Sequence, residues 1–283
     1  MTSDFSLKPS VDNYAVVGNP VAHSKSPQIH AAFARQTRQE LCYQAIEVDK
    51  GRFAEVLAEF EERGGKGLNI TVPFKGDAWS ASNHLTERAR RAQAVNTLWF
   101  GDDSYRYGDT TDGTGLVRDL AVNHGINMLG IRILILGAGG AIRGVLDPLF
   151  DAEPASIIIA NRTVERARIL ADAFSDRGEI TACSYADLST MQFNLIINGT
   201  SASLQGEVPP IPDSVLSSDP ICYDLMYADD DTPFMQWARV REVSEIHDGL
   251  GMLVEQAAAS FEIWRGIWPE TKAVIKMLRK DSQ

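Results

Sequence analysis

Along the chain, short apolar runs alternate with segments whose apolar residues recur every three or four positions. That alternation is the mark of strands and helices following one another in a parallel α/β architecture. Tyr14 to Val17 is an apolar run that closes at Gly18 and reads as a strand. Phe53, Val56, Leu57 and Phe60 fall at helical spacing with acidic residues between them, so that segment reads as an amphipathic helix. Gly67 to Thr71 reads as another short strand, stopped by Pro73. The middle of the chain repeats more cleanly. Arg132 to Leu136 and Ser156 to Ala160 are continuous apolar runs of buried-strand type. The first is followed by glycines and a helix opening near Ala141, the second by a helical stretch from Val164 to Phe174. Leu195 to Ile197 and Ile221 to Asp224 read as later strands of the same sheet. From Gly251 to Lys280 the spacing is helical, with a break at Trp268-Pro269 between two helices.

The expected fold is therefore α/β with two domains: an N-terminal domain over 1–112, a Rossmann-type domain over 113–248, and C-terminal helices over 249–283 that return to the first. A length of 283 residues suits one large domain or two ordinary ones, and 44% hydrophobic with 23% charged residues gives ample core. The formal net charge of −11 argues against a nucleic-acid surface, although a few cations in a cleft can still hold a small anion. Cys42, Cys183 and Cys222 are far apart and match no metal-ligand spacing, so buried free thiols in a reducing compartment are expected, and no metal. The N-terminal segment lacks the basic-then-apolar order of a secretory signal, and runs such as Ile157 to Ala160 are too short to span a bilayer. A cytoplasmic protein without a membrane partner is expected.

Two groups of residues carry chemistry. Gly137, Ala138, Gly139, Gly140 and Ala141 lie directly after a strand and open a helix. In that context Gly137 permits a tight turn and Gly139 lets the backbone approach a pyrophosphate at the helix N-terminus. A glycine turn that binds nothing is the alternative. The next strand ends in Asn161-Arg162-Thr163, with Arg166 one helical step on, where an NAD-binding fold has a carboxylate for the ribose hydroxyl. A guanidinium there pairs with a 2′-phosphate instead, and two cations at a helix start are unfavourable without an anion, so NADP is the expected cofactor.

The second group lies in the first domain. Ser24 and Ser26 follow a strand and precede Pro27 at a helix start, which suits either carboxylate binding or ordinary capping by Ser26. Asn69, Thr71 and Lys75 place an amide, a hydroxyl and an ammonium after a strand; Asn96 and Asp112 add a second amide and a carboxylate. Neutral groups read hydroxyls, Lys75 can move a proton and Asp112 can hold it, an inventory suited to a polyhydroxylated acid. Lys75 taken alone would more often be a surface lysine.

In order along the chain, the segments Gly18 to Pro27, Asn69 to Lys75, Ala94 to Thr97, Thr111 to Gly113, Leu136 to Ala141, Asn161 to Thr163, Thr200-Ser201 and Gly249 to Ala258 resemble the signatures of the shikimate dehydrogenase family. The resemblance implies NADPH-dependent, reversible reduction of 3-dehydroshikimate to shikimate, an oxidoreductase activity on a CH–OH group that belongs to chorismate and aromatic amino-acid biosynthesis. It implies that Ser24, Ser26 and Tyr227 bind the substrate carboxylate, and that Thr71, Asn96, Asp112 and Gln256 hold ring hydroxyls. Lys75 and Asp112 would be the catalytic pair. Gly137 to Ala141, Asn161, Arg162, Thr163 and Arg166 would hold NADP, with Leu225 and Gly249 near the nicotinamide. A monomer or homodimer is expected. The chain departs from the family pattern at Gln93, Thr110, Ile142, Gly199 and Ser203. Rival readings are a relative of the same fold that also takes quinate or prefers NAD, and a non-catalytic NADP-binding regulator.

Overall fold

The computed structural model describes residues 5–200, 202 and 206–280; Ser201 and Ser203 lie outside the described residues. The chain divides into two compact units, one formed by Met1–Gly115 with Val254–Lys276, the other by Leu116–Leu253 with Met277–Gln283.

The first unit contains β1 (Asp12–Gly18), α1 (Ser26–Thr37), β2 (Leu41–Glu47), α2 (Phe53–Glu62), β3 (Gly67–Ile70), α3 (Lys75–Ala81), β4 (His84–Leu85), α4 (Glu87–Ala92), β5 (Thr97–Phe100) and β6 (Arg106–Asp109). Its sheet has the order β2-β1-β3-β5-β6-β4. Within the expected α/β architecture this sheet is mixed: β5 runs antiparallel to both β3 and β6. Connection length accounts for the β5–β6 pairing, since a short link can join only antiparallel neighbours. The apolar face of α2 (Phe53, Val56, Leu57, Phe60) packs with Ala15 and Val17 of β1 and Leu68 and Ile70 of β3. The periodicity of that helix thus becomes one side of the core.

α5 (Asp112–Arg118) leads from the first unit into the second. There β7 (Arg132–Leu136), α6 (Gly140–Asp151), β8 (Ser156–Ala160), α7 (Val164–Ala173), β9 (Ile180–Cys183), β10 (Phe193–Asn198), β11 (Leu216–Asp224), α8 (Pro233–Val240) and β12 (Glu245–His247) follow. All five pairings in its sheet are parallel, in the order β12-β11-β10-β7-β8-β9. Numbered from its own first strand this is the doubly wound dinucleotide-binding order, with the topological switch between β7 and β10. Ile133, Ile135, Ile157, Ile159, Leu195 and Ile197 face one core, while Leu134, Leu136, Ile158, Ala160 and Ile196 face another. Two covered faces explain why these strands are apolar at every position rather than at alternate ones.

α9 (Leu250–Arg265) and α10 (Lys272–Lys280) close the chain. The second half of α9 is built into the first unit: Trp264 stacks on Tyr14 at 4.6 Å between ring centroids, and its Nε1 donates to the Leu98 carbonyl at 3.0 Å. Arg265 binds Asp12 and Gln39. Thr271, just before α10, donates to the buried carboxylate of Glu255 at 2.7 Å. All three cysteines are free; Cys183 and Cys222 are buried, whereas Cys42, expected to be buried, is only half-buried on β2. Among the described residues, no helix is long and apolar enough to cross a membrane.

Candidate functional site

In the first unit, three chain turns bring Lys75, Asn96 and Asp112 together. Phe74 is buried against Phe53, with ring centroids 5.4 Å apart, and it anchors the start of α3 so that Lys75 is its first residue. Asp109, at the end of β6, is gripped by Arg88 (2.6 and 2.7 Å) and by the Thr86 hydroxyl (2.6 Å). Arg88 also donates to Thr114 at 2.9 Å, which clamps the first turn of α5 where Asp112 stands. The Lys75 Nζ donates to Asp112 Oδ2 at 2.5 Å, and the two side chains are 17% and 9% exposed. Lys75 is therefore not the surface lysine of the simpler reading. A charge-assisted contact this short, largely out of water, fixes the ammonium in place.

Asn96 carries the arrangement further. Its Nδ2 donates to Asp112 Oδ1 (2.8 Å), Thr111 Oγ1 (3.0 Å) and Gln256 Oε1 (3.3 Å). Its Oδ1 accepts from the Thr97 hydroxyl (2.8 Å) and the Thr111 N–H (2.9 Å), which settles the amide's orientation. Behind it lies a second layer of polar residues. Thr97 and Ser260 are in hydroxyl contact at 2.8 Å, Asn69 donates to Ser260 at 2.9 Å, and Tyr43 donates to Asn69 at 2.7 Å. Asn69 lay inside a recognised motif, but Tyr43 and Ser260 carry no motif signal. Burial pushes the Tyr43 hydroxyl well above its ordinary pKa, with Ser26 pulling the other way. His30 stacks on Tyr43 at 4.1 Å between centroids. It is fully buried, neither ring nitrogen makes a well-formed hydrogen bond, and burial drives its pKa down to about 3, with nearby Asn69 pulling the other way.

Ser24 and Ser26 stand at the entry to α1. The helix cap is Lys25, without a side-chain cap bond, so the ordinary capping role considered for Ser26 is not what forms. Instead the Ser26 N–H donates to the Ser24 hydroxyl at 3.2 Å. Thr71 follows β3, and its N–H donates to the Val17 carbonyl at 2.9 Å. Gln256 lies on α9, one turn before Ser260, within the first unit. Tyr227 lies in the second unit, where burial raises its pKa.

The second unit gathers the glycine turn and the cations. Gly137 adopts φ +100°, and a Cβ there would come within 3.1 Å of the Gly199 carbonyl oxygen, so only glycine fits. Ala138 leads to Gly139, which caps α6 without a side-chain bond; Ala141 lies in the first turn of that helix. A Cβ added at Gly139 or Gly140 meets nothing within 4 Å, so nothing crowds the backbone at this helix start. That cradle suits a pyrophosphate. Asn161 donates to the Thr163 carbonyl at 2.8 Å, and Thr163 is the cap of α7. Arg162 and Arg166 are exposed there, and no ion pair engages either guanidinium among the described residues. The one carboxylate of the first turn, Glu165, is taken by Arg168 at 3.0 Å. Leu225 and Gly249 meet: the Gly249 N–H donates to Met226 O at 2.9 Å, and a Cβ at Gly249 would strike the Leu225 backbone.

Three departures from the family pattern acquire physical accounts. Gln93 ends α4 at φ +51°, a left-handed position that glycine takes without strain. A Cβ at Gly199 would overlap the Cδ1 methyl of Ile142 and lie 2.9 Å from its Cγ1. The large residue at 142 and the missing side chain at 199 are therefore one exchange of volume. Thr110 is buried, and its hydroxyl has no partner among the described residues. Among those residues, no group of three or more His, Cys, Asp or Glu side chains is placed to hold a metal ion.

A doubly wound unit with an open glycine cradle and unpaired cations, in one chain with a unit that holds a lysine–carboxylate pair, defines the class of dinucleotide-dependent α/β dehydrogenases. The sequence matches the shikimate dehydrogenase substrate binding domain over residues 16–98, the shikimate/quinate 5-dehydrogenase description over 119–205 and the shikimate 5′-dehydrogenase C-terminal domain over 249–279. It is 53% identical to the shikimate dehydrogenase (NADP(+)) of Chromobacterium violaceum, covering 95% of this chain and 98% of that protein. Among solved structures, an Ael1 enzyme from Pseudomonas putida is similar at a TM-score of 0.88 and 42% identity, over 94% of this chain and 98% of that one. A shikimate 5-dehydrogenase from Thermus thermophilus, solved with NADP(H) and shikimate, gives a TM-score of 0.84 at 28% identity, over 96% of this chain and all of that one. The chain belongs to the shikimate dehydrogenase family.

Proposed function

We propose that this protein is an NADP-dependent shikimate dehydrogenase, interconverting 3-dehydroshikimate and shikimate. The observation that carries the reading is the Lys75–Asp112 pair held at 2.5 Å inside a buried polar network, in a chain of this family. The first unit is read as the substrate domain. Ser24 and Ser26 take the carboxylate, and Thr71, Asn96, Asp112 and Gln256 take the ring hydroxyls. The second unit is read as the cofactor domain. Main-chain N–H groups of Gly137, Ala138, Gly139, Gly140 and Ala141 hold the pyrophosphate, and Asn161, Arg162, Thr163 and Arg166 hold the adenosine end, the guanidinia pairing with a 2′-phosphate. Leu225 and Gly249 line the nicotinamide end.

When bound, NADPH supplies the hydride that the ketone carbon accepts. Lys75 donates its proton to the ketone oxygen as that atom gains negative charge, and in the oxidative direction it takes the proton back from the hydroxyl. Asp112 holds the ammonium in line and, through its second oxygen, stays tied to Asn96. We read the protein as a cytoplasmic monomer or homodimer with no nucleic-acid partner, in keeping with its net charge of −11.

The test is a steady-state assay of shikimate oxidation with NADP, run beside NAD and beside quinate. Turnover confined to shikimate and NADP supports the reading. Quinate is included because one matching family description covers both acids. Comparable turnover with quinate or NAD would move the protein to a broader dehydrogenase, and tight NADPH binding without turnover would make it a non-catalytic binder.

A further inference from the structure

We propose that Ser260, a fully buried serine on α9, is a positioning residue for the reaction: its hydroxyl sets the geometry of Asn96 and Asp112, and through them of Lys75. The proposal rests on the functional reading above.

Ser260 has no exposed surface, so it touches no ligand from solvent. Its hydroxyl nevertheless meets three turns that carry candidate groups. Asn69 Nδ2, two residues before Thr71, donates to it at 2.9 Å. Thr97 Oγ1 lies 2.8 Å away and Thr111 Oγ1 3.3 Å away. The hydroxyl also bonds back to the Gln256 carbonyl at 3.1 Å, on the helical turn that presents Gln256. From there the chain of contacts is short. Thr97 donates to Asn96 Oδ1 at 2.8 Å, Asn96 Nδ2 donates to Asp112 Oδ1 at 2.8 Å, and Asp112 Oδ2 accepts from Lys75 at 2.5 Å. One hydroxyl thus gathers the end of β3, the start of β5, the start of α5 and the helix that carries Gln256.

A merely structural role makes a different forecast. Alanine is a better helix former than serine, and removing a hydroxyl that bonds back to its own helix relieves a competitor of the helix ladder. On that account Ser260→Ala would alter thermal stability and leave kinetics alone. As a positioning residue, Ser260 is expected to behave otherwise. Without its hydroxyl, Asn69, Thr97 and Thr111 lose a shared partner, and the Thr97 hydroxyl that donates to Asn96 is held less firmly.

The experiment measures kcat and KM for shikimate and for NADP in the full-length protein and in Ser260→Ala, Thr97→Val and the double variant. Thr97→Val keeps the side-chain shape and removes the next hydroxyl in the chain. The expected result is a fall of about tenfold in kcat/KM for shikimate in each single variant, with the KM for NADP within about twofold of wild type. The double variant is expected to lose little more than either single one, since both break the same chain. Unchanged kinetics in Ser260→Ala, a loss shared equally by shikimate and NADP, or additive losses would overturn the proposal. If Ser260→Ala does not fold, Ser260→Cys, which keeps the side-chain shape and weakens the hydrogen bonds, decides by the same shikimate-against-NADP comparison. Absence of shikimate turnover in the wild type would instead count against the functional reading.

Discussion

In the first unit the candidate groups are side chains held by other side chains: Lys75 by Asp112, Asp112 by Asn96, Asn96 by Thr97 and Thr111. In the second they are main-chain N–H groups beside Gly139 and Gly140, and two guanidinia that no carboxylate among the described residues engages. The contrast teaches where each unit meets its electrostatic cost. The first ties these candidate side chains to one another when it folds and offers a fixed arrangement. The second leaves charge and donors open, to be completed by an anion from outside. Substitutions in the first should therefore propagate along a network, and those in the second should stay local.

The sharpest way to break this comparison is Lys75→Ala, expected to lower kcat by roughly 10²–10⁴ with NADP binding nearly unchanged. Turnover close to wild type would remove Lys75 from its role. Next in size is Arg162→Ala, expected to weaken NADPH by about 1.5–3 kcal/mol and NADH hardly at all. Titration of both nucleotides checks it, and equal losses would mean the guanidinium does not read the 2′-phosphate.

Packing beneath the glycine turn gives a somewhat smaller effect. Gly199→Ala is expected to destabilise the protein by about 1–3 kcal/mol, since its Cβ has no room beside Ile142. In an Ile142→Val background, which lacks the overlapping methyl, the same change should cost measurably less in denaturant unfolding. Equal costs in both backgrounds would separate the two positions.

The smallest effect concerns pH. Burial lowers the folded pKa of His30 to about 3, below the ordinary value near 6.5. The unfolded chain then binds the proton first, so the stabilising contribution is complete above about pH 6.5 and is lost as pH falls toward 3. Between pH 7 and 5.5 the expected loss is about 1 kcal/mol. His30→Phe should flatten that part of the stability profile, and an unaltered profile would show that His30 is not the group responsible.

Much of the second unit was legible in advance because its determinants are local. Ile133 to Leu136 and Ser156 to Ala160 are apolar throughout since both faces of the sheet are covered, and the glycine turn and Arg162 follow strand ends directly. The first unit was less so. β2, with Gln44 and Glu47 among its residues, lies at a sheet edge and is mostly half-buried, so it shows no clean period. The mixed pairing of β5 depends on a hairpin that the periodicity did not mark. Tyr43, Thr97 and Ser260 escaped assignment for a different reason. Their importance comes from contacts made across the sequence, 191 residues between Asn69 and Ser260 and 163 between Thr97 and Ser260, and a serine in mid-helix carries no local sign of them.

The return of α9 to the first unit also orders events during synthesis. Residues up to Gly115 leave the ribosome early, yet the polar network they contain lacks Gln256 and Ser260 until Leu116–Leu253 of the second unit has been made. At the usual elongation rates of about 5–20 residues per second, that delay is roughly 7–30 s. Through that interval Asn69 and Thr97 are without their helical partner, and water or a chaperone must stand in for it. The lysine–aspartate centre is thus among the last features of the nascent chain to mature, although most of its residues are among the first translated.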